Sequence, residues 1–183
     1  MATIMRNNTF LQRLVGAAAL DSAIYEEVEA DRNATSQAAL VVLGSSVAAG
    51  IGMRPIDEQT LSSVVLFSFI ALISWAAWAL LTYEIGTRLM PGPATRADVG
   101  ELLRTIGFAA TPGMLRVLGV MPAVLVPVFA ATAIWMLVAM VVAVRQALDY
   151  RSTSRAIAVC VLGWLLSLAI AIVLGIVFAP SVS

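Results

Sequence analysis

Long apolar runs alternate with short polar stretches along most of this chain. Four of the five runs that lack ionised side chains contain at least 21 residues, and the third contains 11. Because a transmembrane helix needs about 20 apolar residues, the four longer runs predict membrane-spanning helices, whereas the third is too short by itself. The uncharged runs are 33–53, 59–83, 105–115, 117–144 and 156–183.

The first 35 residues follow an amphipathic pattern. On a helical wheel, one side carries Phe10, Leu11, Leu14, Val15 and Ala18, and the other carries Arg6 and Arg13. This separation is typical of a helix lying at the membrane surface. A signal peptide is the alternative interpretation, but Arg13 interrupts the apolar run that such a signal needs.

An acidic stretch at 21–31 comes next and holds five of the 11 acidic residues. A helix here would gather three apolar side chains into a narrow stripe with acids on both flanks. An anionic cluster beside anionic lipid headgroups is repulsive and favours a cationic partner. The predicted partner-binding residues are therefore Tyr25, Glu26, Glu27, Glu29 and Asp31. The alternative is an interfacial helix whose acids only face water.

Small residues recur every four positions on two predicted spans. The first span has Gly44, Ala48 and Gly52, and the last has Ser167, Ala171, Gly175 and Ala179. Small-residue faces allow close helix contact. We predict packing seams within the chain, with self-association into a homo-oligomer through one of these faces as the alternative.

The stretch 97–119 begins as an amphipathic helix, with Val99, Leu102, Leu103 and Ile106 at helical spacing. Thr111-Pro112-Gly113 then predicts a break or kink, because proline removes a backbone donor. Such a helix enters a membrane only where neighbouring spans cover its polar groups.

A few polar residues fall near predicted membrane depth. Glu84 follows the second span and precedes Arg88 by four residues, an order that favours an interfacial ion pair. An ionisable residue inside the membrane is otherwise a functional candidate. The possible intramembrane polar site comprises Glu84, Arg88, Glu101, Arg104 and Pro112.

The distribution of arginine favours five spans. If 97–119 crosses, nine arginines share one side and two, Arg54 and Arg116, lie on the other; otherwise the division is seven to four. The positive-inside rule then predicts a cytoplasmic N-terminus and a C-terminus outside. The fold class is an all-α, polytopic membrane helix bundle. Residues 1–35 form a cytoplasmic, interfacial and acidic helical segment, and 36–183 form the five-span membrane domain.

Composition agrees and excludes several classes of function. The chain is 61% hydrophobic and 12% charged, more apolar than a soluble domain of this length could bury. Net charge is zero, so no basic footprint for nucleic acid exists. No histidine is present, and neither a catalytic constellation, a metal-ligand set nor a cofactor motif is visible. We expect a non-enzymatic protein without a cofactor.

Two stretches carry a family resemblance: one runs from Tyr25 to Glu29, and the other combines 101–109 with Pro112-Gly113-Met114-Leu115. Together they resemble the bacterial branch of the Yip domain family, the Ypt/Rab-interacting membrane proteins. The resemblance covers about residues 20–180. It implies a five-span helical domain behind a cytoplasmic N-terminal segment. Eukaryotic members are associated with small GTPases and vesicle traffic, whereas the bacterial branch supplies no activity to carry over.

Three functional hypotheses remain. The leading one is a membrane scaffold or adaptor of the bacterial cytoplasmic membrane that docks a protein partner through the acidic helix and otherwise contacts lipids. The second is a small transporter or channel for a proton, ion or small solute, suggested by Glu84 and the broken helix at Pro112. The third is an accessory subunit of a larger membrane complex.

Overall fold

The computed structural model describes residues 8–53 and 61–178, and every regular element in these residues is helical. The predicted all-α class is therefore confirmed for them. The α-helices are α1 (Phe10–Ala18), α2 (Ser22–Ala30), α3 (Ala34–Met53), α4 (Leu61–Glu84), α5 (Val99–Ala109), α6 (Leu125–Ala147) and α7 (Thr153–Phe178). A π-helical turn (Ile85–Leu89) extends α4, and 3-10 segments at Thr111–Val120 and Pro122–Val124 connect α5 to α6.

Four helical stretches are long and apolar enough to cross a membrane. They are Ala34–Met53, Ser62–Leu89, Pro122–Ala147 and Thr153–Ile170. Only 6% of the second and 11% of the third are buried within the chain. Such apolar outer surfaces need a hydrocarbon solvent, which indicates a multi-pass membrane protein.

The 3-10 segment Thr111–Val120 continues the path of α5 after a break at the predicted place. The α-helix ends at Ala109, and Pro112 has no N–H with which to continue it. The Thr111 hydroxyl donates to the Phe108 carbonyl at 2.6 Å, which satisfies one of the last carbonyl groups of α5. A 3-10 helix of 10 residues is long for its kind.

We call α5 and the 3-10 segment Thr111–Val120 together the broken element. It runs beside α3 in the same direction. The adjoining positions are Gly107 with Ala38, Gly113 with Ser45, and Gly119 with Gly52. The positions advance together along both partners, so the two elements are parallel over most of the length of α3. The broken element also packs against α6 and thus lies in the middle of the bundle.

The small-residue face of α3 is filled from within the chain. Gly44 adjoins the Met114 side chain, and Gly52 adjoins the backbone of Arg116, so the predicted intramolecular seam is confirmed for α3. Ala48 and Gly52 are buried and cannot also serve a second copy. On α7, Ser167 is half-buried. The burial of Ala171 and Gly175 is not described, and Ala179 lies outside the described residues.

One end of the bundle joins the starts of α3, α5 and α7 to the ends of α4 and α6. There, Tyr150 joins the loop after α6 to the segment after α4. Its hydroxyl donates to the carbonyls of Gly86 at 3.0 Å and Met90 at 2.7 Å. We call it the arginine-rich end. It comprises Arg13, Arg32, Arg88, Arg96, Arg104, Arg145, Arg151 and Arg155. Arg116, near the other end, donates to the Thr132 hydroxyl at 3.2 Å.

Candidate functional site

The α1 and α2 helices form a hairpin that packs against α5 and α6 at the arginine-rich end. Its inner face is apolar. Ile24, Tyr25 and Val28 are buried on α2, and the Tyr25 hydroxyl donates to the Ala17 carbonyl of α1 at 3.2 Å. Tyr25 has no exposed surface. We therefore correct its predicted role: it is a core residue that joins the two helices, because the apolar stripe of α2 faces inward.

Arg13 joins α1 to the acidic helix. Its guanidinium forms ion pairs of 2.9 Å with Glu27 and with Asp31, and it donates to the Gln37 side chain of α3 at 3.0 Å. Arg13 is buried, so the expectation that it lies on an outward polar face is wrong. Glu27 and Asp31 share this one guanidinium, which offsets one of their two negative charges and engages both carboxylates within the chain. They do not form a free anionic surface.

The environment of Asp31 fits this pairing. Partial burial alone would raise the pKa of the Asp31 carboxyl, but hydrogen bonds from Arg13 and Asn33 outweigh it and lower the pKa. The Asn33 backbone N–H donates to this carboxylate at 2.9 Å. Asp31 therefore stays ionised and holds the junction between α2 and α3.

Four other acids form a separate cluster, which we call the acidic surface. It comprises Glu26, Glu29, Glu101 and Asp149, from α2, α5 and the loop after α6. The pKa of Glu29 is raised to about 7, first by burial and then by the charges of Glu101, Asp149 and Glu26, whereas the charge of Arg104 lowers it. Glu26 is exposed and has no hydrogen bond or ion pair within the described residues. This surface holds negative charge that the chain does not fully compensate.

Arg104 binds the backbone of α2 beneath the acidic side chains. It is buried, and its Nε donates to the carbonyls of Val28 at 3.0 Å and Glu29 at 2.9 Å. These carbonyls end α2 and would otherwise lack intrahelical donors. Arg104 thus fixes the backbone on which Glu26 and Glu29 stand, but it does not pair with their carboxylates.

A scan against protein-family models matches the Yip1 domain over residues 22–175, which is more than half of the chain. The chain belongs to the Yip1 domain family. The match begins at Ser22, the first residue of α2, and extends into α7, so α1 precedes the matched region. No curated protein and no solved structure matches the chain significantly.

The residues predicted as a possible intramembrane polar site do not lie together in this Yip1 domain. Glu84 pairs with Arg88 at 2.9 Å, four residues further on, and both side chains are substantially exposed. Glu101 accepts from the Asp98 backbone N–H at 2.8 Å, in a capping box that begins α5. Pro112 is buried beside α3. Glu84, Arg88, Glu101, Arg104 and Pro112 therefore have different partners and do not form one polar centre.

Metal binding has no evident place in the described part of the Yip1 domain. No group of three or more His, Cys, Asp or Glu side chains there could hold a metal ion. The four acids of the acidic surface are accordingly considered only as a surface for a cationic partner.

Sequence reasoning missed Asp149 and the inward role of Arg13. Asp149 lies about 120 residues from α2, so only the fold reveals that it faces Glu29. Arg13 did give a signal: it is the one ionised side chain in the apolar stretch 7–20, directly before five acids. A cation in that position favours a contact with the acids as much as a contact with water.

Proposed function

We propose that this Yip1 domain protein is a non-enzymatic membrane adaptor that docks a partner protein through the acidic surface. Membership of the family and the apolar helices support the membrane location. The docking role rests on the acidic surface, from which Tyr25, Glu27 and Asp31 are removed and to which Glu101 and Asp149 are added.

The grouping of Glu26, Glu101 and Asp149 around Glu29 carries this proposal. Their negative charges act on Glu29 from three elements without an ion pair to offset them, and after burial, the larger cause, they raise its pKa. Charge-assisted hydrogen bonds from a partner's arginine or lysine would each contribute about 1.5–3 kcal/mol. The surface therefore favours a cationic protein segment.

Five spans are the arrangement that we propose for the bundle. The 11 residues of α5 extend over about 16 Å at 1.5 Å each, and the 10 residues of the 3-10 segment over about 20 Å at 2.0 Å each. Together they extend over about 36 Å, which is long enough to cross a hydrocarbon core of about 30 Å. Their parallel course beside α3 supports a crossing in the same direction.

The arginine-rich end then lies in the cytoplasm, in accordance with the positive-inside rule. This orientation puts the N-terminus and the acidic surface in the cytoplasm and the C-terminus outside. We propose the bacterial cytoplasmic membrane as the location.

Co-purification from the native membrane in mild detergent tests the docking role. We compare the wild-type chain with the double variant Glu26→Gln/Glu29→Gln. The variant should release the co-purifying protein and lose no thermal stability, since neither carboxylate has an ion-pair partner within the described residues. At pH 7 and above it should gain some stability, because the buried charge of Glu29 is removed. Glu84→Gln is the matched control, because it removes one acid at the same end but outside the acidic surface.

Two results would count against the adaptor role. One is a partner that stays bound to Glu26→Gln/Glu29→Gln. The other is an equal loss of partner from Glu84→Gln, which would show that bulk charge, and not the acidic surface, retains it. If the chain co-purifies with several proteins in a fixed ratio, the accessory-subunit hypothesis takes first place.

The structure favours no transport function. A crevice of about 320 Å³ between α3 and α4 is lined on α4 by residues from Ser63 to Ala71, in the first half of that helix. Glu84 ends α4 and pairs with Arg88, so it does not line this crevice. The acid that suggested a transporter therefore has an ordinary interfacial environment.

A further inference from the structure

We propose that the α1–α2 hairpin is a re-entrant element: it enters the cytoplasmic leaflet from the arginine-rich end, and the outer face of α1 lies against lipid acyl chains. The partner of this face is the hydrocarbon of the membrane, not the headgroup surface. The proposal rests on the depth of the hairpin tip, on the hydrogen bonding of its backbone and on the side chains that face outward.

A hydrogen bond to Trp135 sets the depth of the tip. The Trp135 indole N–H donates to the Ala18 carbonyl, the last residue of α1, at 2.7 Å. Trp135 lies midway along the candidate span Pro122–Ala147. It is 12 residues, or about 18 Å of helix, from the end of α6. The other end of the hairpin is held at the arginine-rich end by Arg104.

The C-terminal end of α1 satisfies its own backbone carbonyl groups. A helix normally leaves its last four carbonyl groups without intrahelical partners. Here all four accept a hydrogen bond from within the chain. The carbonyl of Val15 accepts from Ala19, and that of Gly16 from Asp21. The carbonyl of Ala17 accepts from Leu20 and Tyr25, and that of Ala18 from Trp135.

Pairing of all four carbonyls at the end of α1 is what hydrocarbon requires, because no water is available there to bond free groups. The carbonyls of the turn residues Ala19 and Leu20 accept no hydrogen bond within the described residues, so we assign them to the water-facing side of the hairpin. The turn itself has an unusual backbone. Leu20 has a φ of 62°, in the left-handed region that costs most side chains about 1 kcal/mol. Its side chain packs against the core around α2, which offsets that cost.

The outer face of α1 is apolar where it would meet lipid. Leu11 is 69% exposed and Val15 is 64% exposed. They are separated by four residues and therefore lie on one face of α1. The lipid-facing surface of α6 continues this apolar surface at the same depth, since Ile134 and Val138, on either side of Trp135 in the sequence, are also exposed.

The polar residues of the hairpin decide which flank faces lipid. Asp21 and Glu26 are exposed on the α2 side, and an acid in the centre of a membrane costs about 2.5–3.5 kcal/mol. We therefore assign α1 to the acyl chains and the outer line of α2 to a water-filled recess that continues into the acidic surface. The hairpin enters the leaflet without crossing it.

Spin labels on single cysteines of the full chain, in lipid vesicles, test the depth. In a Cys160→Ser background, labels are placed at Val15 and Ala23, at Ser152 as a water control and at Val138 as a lipid control. Collisions with oxygen, which concentrates in hydrocarbon, are compared with collisions with a nickel chelate, which stays in water. We expect Val15 to resemble Val138, and Ala23 to resemble Ser152.

The label is bulky, so the same cysteines are also exposed to a membrane-impermeant maleimide. Val15 should react at least about tenfold more slowly than Ser152, which corresponds to about 1.4 kcal/mol of reduced access. A water-like Val15 beside a lipid-like Val138 would overturn the re-entrant hairpin and leave the bundle intact. A lipid-like Ala23 would overturn the assignment of flanks. A water-like Val138 would instead contradict the membrane placement of α6.

Discussion

Arg104 closes the C-terminal end of α2 by donating two hydrogen bonds to the carbonyl oxygen of Glu29, 75 positions away in the sequence. The contact crosses from α5 to α2 and is buried. It couples the broken central element to the helix that carries half of the acidic surface. Several consequences of this arrangement can be measured.

Replacing Arg104 by glutamine should lower the free energy of unfolding by about 2–3 kcal/mol, since hydrogen bonds from charged donors contribute about 1.5–3 kcal/mol. Lysine should restore only part of this loss, because a single ammonium cannot reproduce the planar fork of a guanidinium. Thermal unfolding of the detergent-solubilised chain provides the measurement. Arg96→Gln is the control, because Arg96 is exposed and has no partner within the described residues; equal losses in the two variants would refute the cap.

The acidic surface should make stability depend on pH. The pKa of Glu29 is about 7 in the folded chain and near 4.5 in the unfolded chain. The folded state thus binds the proton more tightly, and stability from this group is fully present below pH 4.5 and is lost as the pH rises through 7. Unfolding temperatures measured between pH 5 and pH 8 should fall with pH in the wild type. Glu29→Gln should flatten this slope, whereas an unchanged slope would assign it to another group.

The contact between α5 and α3 should not tolerate a methyl group. A Cβ atom at Gly107 would lie 2.6 Å from the Cβ of Ala38 and 3.2 Å from its backbone. Overpacking of this kind costs about 1–3 kcal/mol. Gly50→Ala is the matched control, because no heavy atom of another described element lies within 4 Å of its added Cβ and alanine gains up to about 1 kcal/mol over glycine in a helix. The two variants should therefore shift the unfolding temperature in opposite directions.

Single cysteines should distinguish five spans from four. In a Cys160→Ser background, the positions are Ala94 before α5, Ala123 before α6, and Ser152 before α7. An impermeant thiol reagent on intact cells should label Ala123→Cys only, because five spans put Ala94 and Ser152 in the cytoplasm. If α5 and the 3-10 segment did not cross, Ala94 and Ala123 would share one side and Ser152 would lie on the other.

The spans could be predicted because each depends on a local property. Runs without charge mark α3, α4, α6 and α7, and Pro112 marks the end of α5. The four-residue repeat of Gly44, Ala48 and Gly52 also reveals the α3 seam, since a small-residue face is a property of one helix. Such features need no knowledge of the neighbouring elements.

The candidate site could be predicted only in part, because it depends on contacts between distant elements. The density of acids in α2 marks the region, and Glu26 and Glu29 remain on the surface. The sequence does not tell which acids are already paired. Arg13 engages Glu27 and Asp31 from the helix that precedes α2, and Asp149 joins from the loop after α6, about 120 positions later in the sequence. Tyr25 was misassigned because a narrow apolar stripe fits a buried face as well as a docking face.

The Arg13 contacts also determine how strongly another cation must bind to reach Glu27 and Asp31. Because α1 is tethered to α2 by a three-residue turn, its guanidinium is held near Glu27 and Asp31 at a high effective concentration, of millimolar order for short linkers. A free cationic segment at cellular concentration would have to displace the Arg13 guanidinium, which the turn keeps close to both carboxylates. For the proposed docking role, this occupancy favours Glu26 and Glu29 over Glu27 and Asp31 as the contacts of a cationic partner. The short turn that tethers Arg13 therefore sets the preference among the acids of α2.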